Sequence, residues 1–271
     1  MNITSWNCRG AGCKGFVPLI NDSIRENDIG VLCLLETHIS GVKAQKVIQR
    51  INLDSSFVVD AHGQAGGIWC LWDSTRWKLE VVSNSNQYVH FYVKGLMGSW
   101  FMTVVYANPH SQFRIELWRD LIRLASTIQG AWSVLGDFNA TLKDEERHGG
   151  SLHANSRGDL AFRHMARDCN LIDIGFQGAP FTWQRGKVYV RLDRVLVNIQ
   201  WQLEYPDANV FHLSPLKSDH SMIRLNLSSP LQSDCRRRPF RFEAAWITHL
   251  EFQSVLRNSW NVAPDWNKKK I

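Results

Sequence analysis

The sequence predicts a single mixed α/β domain with two β layers and helices on the outside. Three observations carry this. Short strand-like runs alternate with helical ones over most of the chain, the stretch 57 to 106 is almost all strand, and a long amphipathic stripe follows it. With 271 residues the chain can bury one large core or two small ones. Hydrophobic residues at 44% and charged residues at 21% match an ordinary globular protein.

Taken in order, "NITSWNC" and "IGVLCLL" read as strands, with Phe16, Leu19, Ile20 and Ile24 at helical spacing between them and Val47, Ile48 and Ile51 after them. "FVVD", "GIWCLW", "WKLEVVS", "QYVHFYV" and "SWFMTVVY" are strands punctuated by Gly and Asn, which suits one antiparallel meander. Leu117, Trp118, Leu121, Ile122, Ala125 and Ile128 form the apolar stripe of a long helix. After "WSVLG" the reading is a polar loop to about Arg157, a helix near 158 to 168, and the strands "LIDI", "FTWQ", "VRLDRVLV", "NVFHL" and "SMIRLNL". The domain spans 1–228. Residues 229–271 read as a basic linker, "SPLQSDCRRRP", and a partly helical connector.

No apolar run approaches a membrane span, and "MNITSWNCRG" lacks the basic then apolar build of a signal peptide. An intracellular protein with no membrane partner is the expectation. The six cysteines have no CxxC spacing and sit scattered through the sequence, so they read as reduced thiols. Net charge is +6, but from Ser233 onward eight Lys and Arg face four Asp and Glu, which leaves only +2 for residues 1 to 232. Bulk charge therefore does not make the main domain a nucleic-acid binder.

Several strands end in a polar residue that a core strand does not need. "SWN" gives Asn7, "LCLLET" gives Glu36, "TVVY" gives Tyr106, "VLGDFN" gives Asp137 and Asn139, "VRLDR" gives Asp193, and "LKSDH" gives Ser218, Asp219 and His220. Side chains alternate along an extended chain, so Asp137 and Asn139 face one way and Phe138 the other. Singly, each residue has an ordinary explanation as a turn or cap, and Asp193, flanked by Arg191 and Arg194, reads equally as a surface ion pair. Jointly, carboxylates, amides and one His at successive strand ends can converge on one cleft.

The set lacks a nucleophile elbow, a nucleotide-cradling glycine loop and a zinc helix motif, and it is rich in hard oxygen ligands. Such oxygens favour magnesium, which takes one or two carboxylates together with waters and phosphate oxygens. Hydrolysis of a phosphodiester needs a base for the water, donors for the phosphoryl oxygens and charge relief on the leaving oxygen.

The ordered series "SWN", "ET", "VVY", "GDFN", "RLDR" and "SDH" resembles the exonuclease-endonuclease-phosphatase superfamily over roughly residues 2 to 227. The resemblance implies the DNase I-like fold, a four-layer α/β sandwich of two packed mixed sheets flanked by helices. The opening "SWNCRGAG", the pairing of "FTW" with "RLDRVLV" and the tail "RRRPFRFEAAW" are most similar to the endonuclease of plant LINE-type non-LTR retrotransposons. There the domain precedes a reverse transcriptase, a region expected to be absent from this chain.

Carried over by position, the resemblance implies that Glu36 binds Mg²⁺, with Mn²⁺ as the alternative, that Asn7 lies nearby and that Asp219 shares the metal or its waters. Asp137 orients or deprotonates the attacking water, and Asn139 helps to hold it. His220 contacts the scissile phosphate with Asp193 behind it. Tyr106 donates to a phosphate oxygen or assists at the leaving group. Thr182 and Ser218 are secondary phosphate contacts or supports. The implied function is a divalent-metal-dependent endonuclease that nicks DNA, acting as a monomer in the nucleus. The alternatives are a phosphatase, phosphodiesterase or abasic-site nuclease of the same fold, or an inactive relic that only binds nucleic acid.

Overall fold

In the computed structural model, residues 1–61, 63, 65–150 and 156–227 are described, the side chains of 156–159 excepted. The linker and connector at 229–271 lie outside the described residues. The chain opens with β1 (Asn2–Asn7), α1 (Phe16–Glu26), β2 (Ile29–Leu35) and α2 (Gly41–Ile48). Next come β3 (Ser55–Val59), β4 (Ile68–Trp72), β5 (Trp77–Asn84), β6 (Tyr88–Gly95), β7 (Gly98–Tyr106) and α3 (Ser111–Thr127). The second half holds β8 (Trp132–Asp137), a 3-10 turn (Asp144–Glu146), β9 (Arg147–His148), α4 (Ser156–Asp168), β10 (Leu171–Asp173), β11 (Trp183–Arg185) and β12 (Val188–Val190). It closes with β13 (Asp193–Asn198), α5 (Ile199–Glu204), β14 (Asn209–His212) and β15 (Ile223–Asn226).

The described strands form two six-stranded mixed sheets, ordered β14-β15-β1-β2-β4-β3 and β10-β13-β8-β7-β6-β5, and a small sheet β11-β12-β9. Alternation sets the layers. On β2, Val31, Cys33 and Leu35 face the other sheet, while Leu32 and Leu34 pack under α1 and α2. Both of its faces are covered, which is why "IGVLCLL" is an unbroken apolar run. Leu135 of β8 likewise faces the inter-sheet core, and Trp132 and Val134 pack beneath α3 and α4. The result is four layers, helix, sheet, sheet, helix. The helices owe their places to single buried stripes, Phe16, Val17 and Ile20 on α1, and Leu117, Trp118 and Leu121 on α3.

The structure departs from the sequence expectation at four places. The run 57 to 106 is not one meander, because β3 and β4 pair with β2 in the first sheet while β5, β6 and β7 build the second. Each of those strands is apolar enough to line either sheet, so alternation alone could not divide them. "VRLDRVLV" is two strands, β12 and β13, separated by Arg191 and Leu192. The polar loop after β8 contains the 3-10 turn and β9, which pairs with β12. The short α5 escaped detection altogether; Asn198 caps it by accepting the Trp201 amide at 3.0 Å. Among the described residues no helix is long and apolar enough to cross a membrane.

Candidate active site

Strand topology decides which side chains meet. β1 and β2 are parallel, with Asn7 opposite Leu35, so Asn7 and Glu36 emerge at the same end. β7 and β8 are also parallel, with Tyr106 opposite Asp137. β13 runs antiparallel to β8 and places Asp193 across from Asp137. Asp137 keeps the parity of Leu135, and Asp193 that of Val195 and Val197, so both carboxylates project into the gap between the sheets where the apolar core ends. Phe138 turns the other way, stacks with Trp118 and packs at a tilt on Phe162 beneath the helices.

A glycine makes this approach possible. Gly136 has φ of 136°, and a Cβ there would strike the Val105 carbonyl of β7. Only a residue without a side chain lets the two strands close and bring Asp137 level with Tyr106. Arg9, Glu36 and Asn139 also hold left-handed φ values, 48°, 52° and 45°. Asn tolerates that region well, whereas Arg and Glu do not, and such strain gathers where side chains must be aimed.

Asp137 is fully buried and is the hub. Its Oδ2 accepts Asn7 Nδ2 at 2.9 Å and Asn139 Nδ2 at 3.1 Å, and its Oδ1 accepts the Asn139 amide at 2.8 Å. His220 Nε2 stands 3.8 Å from the same Oδ2, near enough for attraction but too far for a hydrogen bond. On its other side His220 Nδ1 pairs with Asp193 Oδ2 at 2.9 Å. The Asp193 side chain is thus buried against His220 and is not a surface ion pair. Arg191 and Arg194 instead bind Glu146 and Asp173.

Burial sets the electrostatics of this cluster. It pushes the Asp137 carboxyl up to about 7, with the Asp193 charge adding to the rise and His220 and the amide donors opposing it. Burial alone would lower His220, but the Asp193 and Asp137 charges outweigh it and raise the ring to about 9. The two shifts favour the charged imidazolium and strengthen the neighbouring Asp137 carboxyl as a proton acceptor.

Glu36 is reached from the other sheet. Its Oε1 accepts the Tyr106 hydroxyl at 2.6 Å, and burial followed by the Glu36 charge pushes that phenol well above its ordinary range. Ser218 donates to the Asn7 carbonyl at 2.7 Å and accepts the His220 amide at 3.1 Å. The buried Thr182 hydroxyl accepts the amides of Leu192 and Asp193, both at 3.0 Å. These two hydroxyls hold backbone in place around the site.

All ten residues singled out from the sequence lie in one connected network, but the connection runs partly through side chains the sequence reading passed over. Arg9 Nε lies 2.9 Å from Asp219 Oδ1 and 3.5 Å from Glu36 Oε2. His38 Nε2 is 3.6 Å from Glu36 Oε2, and Trp183 Nε1 donates to Asp219 Oδ2 at 2.9 Å. Trp183 belongs to the quoted "FTW", while nothing in the spacing of Arg9 or His38 signals a role. A cavity of ≈ 410 Å³ beside Ser218 and Asp219 is walled by Phe181, Trp183 and Tyr189.

The model of the endonuclease/exonuclease/phosphatase family matches residues 4–220. No curated protein matches the sequence. Among solved structures, the chain is similar to a 3′ phosphatase from Neisseria bound to a product DNA hairpin, with a TM-score of 0.64 and 19% identity over 84% of this chain and 100% of that one. It is similar to the AP endonuclease LMAP from Leishmania major, with a TM-score of 0.64 and 16% identity over 83% and 86% of the two chains. A third likeness is to the endonuclease domain of TRAS1, a telomere-specific non-LTR retrotransposon, with a TM-score of 0.55 and 16% identity over 83% and 97%. At these identities the structural likenesses show the four-layer fold and nothing finer.

Proposed function

The chain belongs to the endonuclease/exonuclease/phosphatase family, and from that premise we propose that it is a divalent-metal-dependent endonuclease that nicks DNA, of the kind carried by LINE-type retrotransposons. The observation that carries the hydrolytic reading is Asp137, a buried carboxylate held by three amide donors, raised toward neutrality and facing a His220 ring that Asp193 keeps charged. A base whose pKa lies near the working pH combines availability with strength.

The donor set fits a hard divalent cation. Asp219 Oδ1 is buried and, although Arg9 Nε is 2.9 Å away, no N–H points along its lone pair. Glu36 Oε2 meets the same nitrogen, so two carboxylate oxygens converge on one spot, while Asn7 Oδ1 accepts the backbone amide of the same arginine at 3.3 Å. Glu36, Asp219 and Asn7 would hold Mg²⁺, or Mn²⁺, which when bound would relieve charge on the leaving oxygen. Asp137, Asp193 and His220 also present ligand atoms within 4.8 Å of one another. Asp193 is already bonded to the His220 ring, and Asp137 already accepts from Asn7 and Asn139, which suits proton handling better than ligation.

The chain's own residues divide the remaining work. Asp137 takes a proton from the attacking water, and Asn139, whose Nδ2 also donates to the Ala107 carbonyl at 2.8 Å, fixes where that water stands. The 3.8 Å gap between His220 Nε2 and Asp137 Oδ2 leaves the imidazolium proton free for a phosphoryl oxygen. Tyr106 has its proton committed to Glu36 and orients that carboxylate. DNA as substrate, and with it nuclear placement, rests on the motif series and on the retrotransposon-like sequence ends.

The test is a substrate panel incubated with Mg²⁺ or with EDTA: supercoiled plasmid, an abasic duplex and a 3′-phosphate duplex. Metal-dependent nicking of intact plasmid supports the proposal. Turnover of only the abasic or phosphate substrate would replace it with the corresponding alternative, and no turnover of any would leave the relic.

A further inference from the structure

The two carboxylates assigned to a divalent cation already share a cation. Arg9 Nε stands within ionic distance of Asp219 Oδ1 and Glu36 Oε2, at 2.9 and 3.5 Å. The backbone around it is clamped. Cys8, Gly10 and Ala11 donate to the carbonyls of Leu35, Glu36 and Thr37 at 2.8–2.9 Å, and the Arg9 amide reaches Asn7 Oδ1 at 3.3 Å. The side chain is not clamped in the same way. It is 42% exposed, against 9% for Glu36 and 22% for Asp219, and neither ionic contact is an aligned hydrogen bond. A half-exposed arm thus lies over a more buried pair of acids.

We propose that Arg9 is a displaceable stand-in for the metal: it neutralises Glu36 and Asp219 before the cation enters, and must leave when it does. This rests on the metal reading given above. Two carboxylates directed at one point repel each other unless a positive charge sits between them. A divalent ion and a guanidinium cannot both occupy that point, because they repel each other and compete for the same lone pairs. Metal affinity in this protein is therefore reduced by the work of displacing Arg9. An ordinary half-exposed ion pair would carry no such coupling, since most contribute little.

The experiment is calorimetric titration of the full chain with Mn²⁺ and with Mg²⁺, without DNA, for the parent, Arg9→Ala, Arg9→Gln and Glu36→Gln. Arg9→Gln keeps most of the side-chain volume should the alanine variant fold poorly. Either Arg9 variant is expected to bind metal at least about tenfold tighter than the parent, and Glu36→Gln to lose binding. Unchanged or weaker affinity in the Arg9 variants, with Glu36→Gln still abolishing binding, overturns the stand-in role and leaves the metal site standing. Absence of binding in parent and Arg9 variants alike overturns both.

Discussion

Asp193 and His220 show how a residue's role follows from what it displaces. His220 is buried with two carboxylates within reach, and their charges, rather than its own burial, decide its ionisation. Replacing Asp193 by Asn removes the nearer charge and the hydrogen bond that raise the ring, so burial gains ground and the ring turns neutral at lower pH. Nicking by Asp193→Asn is therefore expected to fall most on the alkaline side of the profile, where the parent ring, titrating near 9, still holds its proton. Matched pH–rate profiles of parent and variant measure this, and superimposable curves would remove Asp193 from that role. At this scale the carboxylates and amides were legible because each terminates an otherwise apolar strand. Arg9 and His38 were not, since a basic residue in a polar loop is unremarkable until its partners, brought from other elements, are known.

Around the strands that carry the site, one ionic lattice and one neutral hydrogen-bonded cluster fix geometry. Arg191 and Arg194, on either side of Asp193, bridge Glu146 of the 3-10 turn and Asp173 of β10 at 2.8–3.1 Å. Burial opposes ionisation of both acids, yet the guanidinium charges prevail and hold each carboxyl below its ordinary range. Arg194 is fully buried, so Arg194→Met leaves two acids short of a cation and is expected to lower stability by about 3–5 kcal/mol. Urea unfolding of the two proteins gives the comparison, and an unchanged midpoint would show the lattice to be energetically neutral. On β6, His90 shares the Thr103 hydroxyl with Trp132, each at 2.8 Å, and burial lowers its pKa to about 4. Its unfolded value is near 6.5, so the unfolded chain binds the proton first as pH falls. The stability contributed by a neutral His90 is complete above about 6.5 and is lost down to about 4, at most about 3 kcal/mol. His90→Gln should flatten that acid limb in thermal melts taken across this range, and parallel limbs would assign it to other groups. The sequence could not divide these strands between sheets because each has an apolar face that could line either one, and pairing is decided by partners distant along the chain.

Across the whole molecule, two parallel strand pairs, one from each sheet, end at the same mouth, and β13 begins there. That coincidence converts six short motifs into one site, and it explains why strand-end polarity was informative while net charge was not. The fold class was readable from alternation and from the ordered motifs. Of the small sheet β11-β12-β9 only β11 was read, as "FTWQ", since its strands are two or three residues long and β12 runs close on to β13. If this mouth is a hydrolytic centre, Asp137 is its base. The most direct test of that role is Mg²⁺-dependent nicking of supercoiled plasmid by the parent and by Asp137→Ala, with circular dichroism to confirm that both are folded. The folded variant is expected to lose at least about 100-fold in rate. A folded Asp137→Ala that nicks at the parent's rate would contradict it.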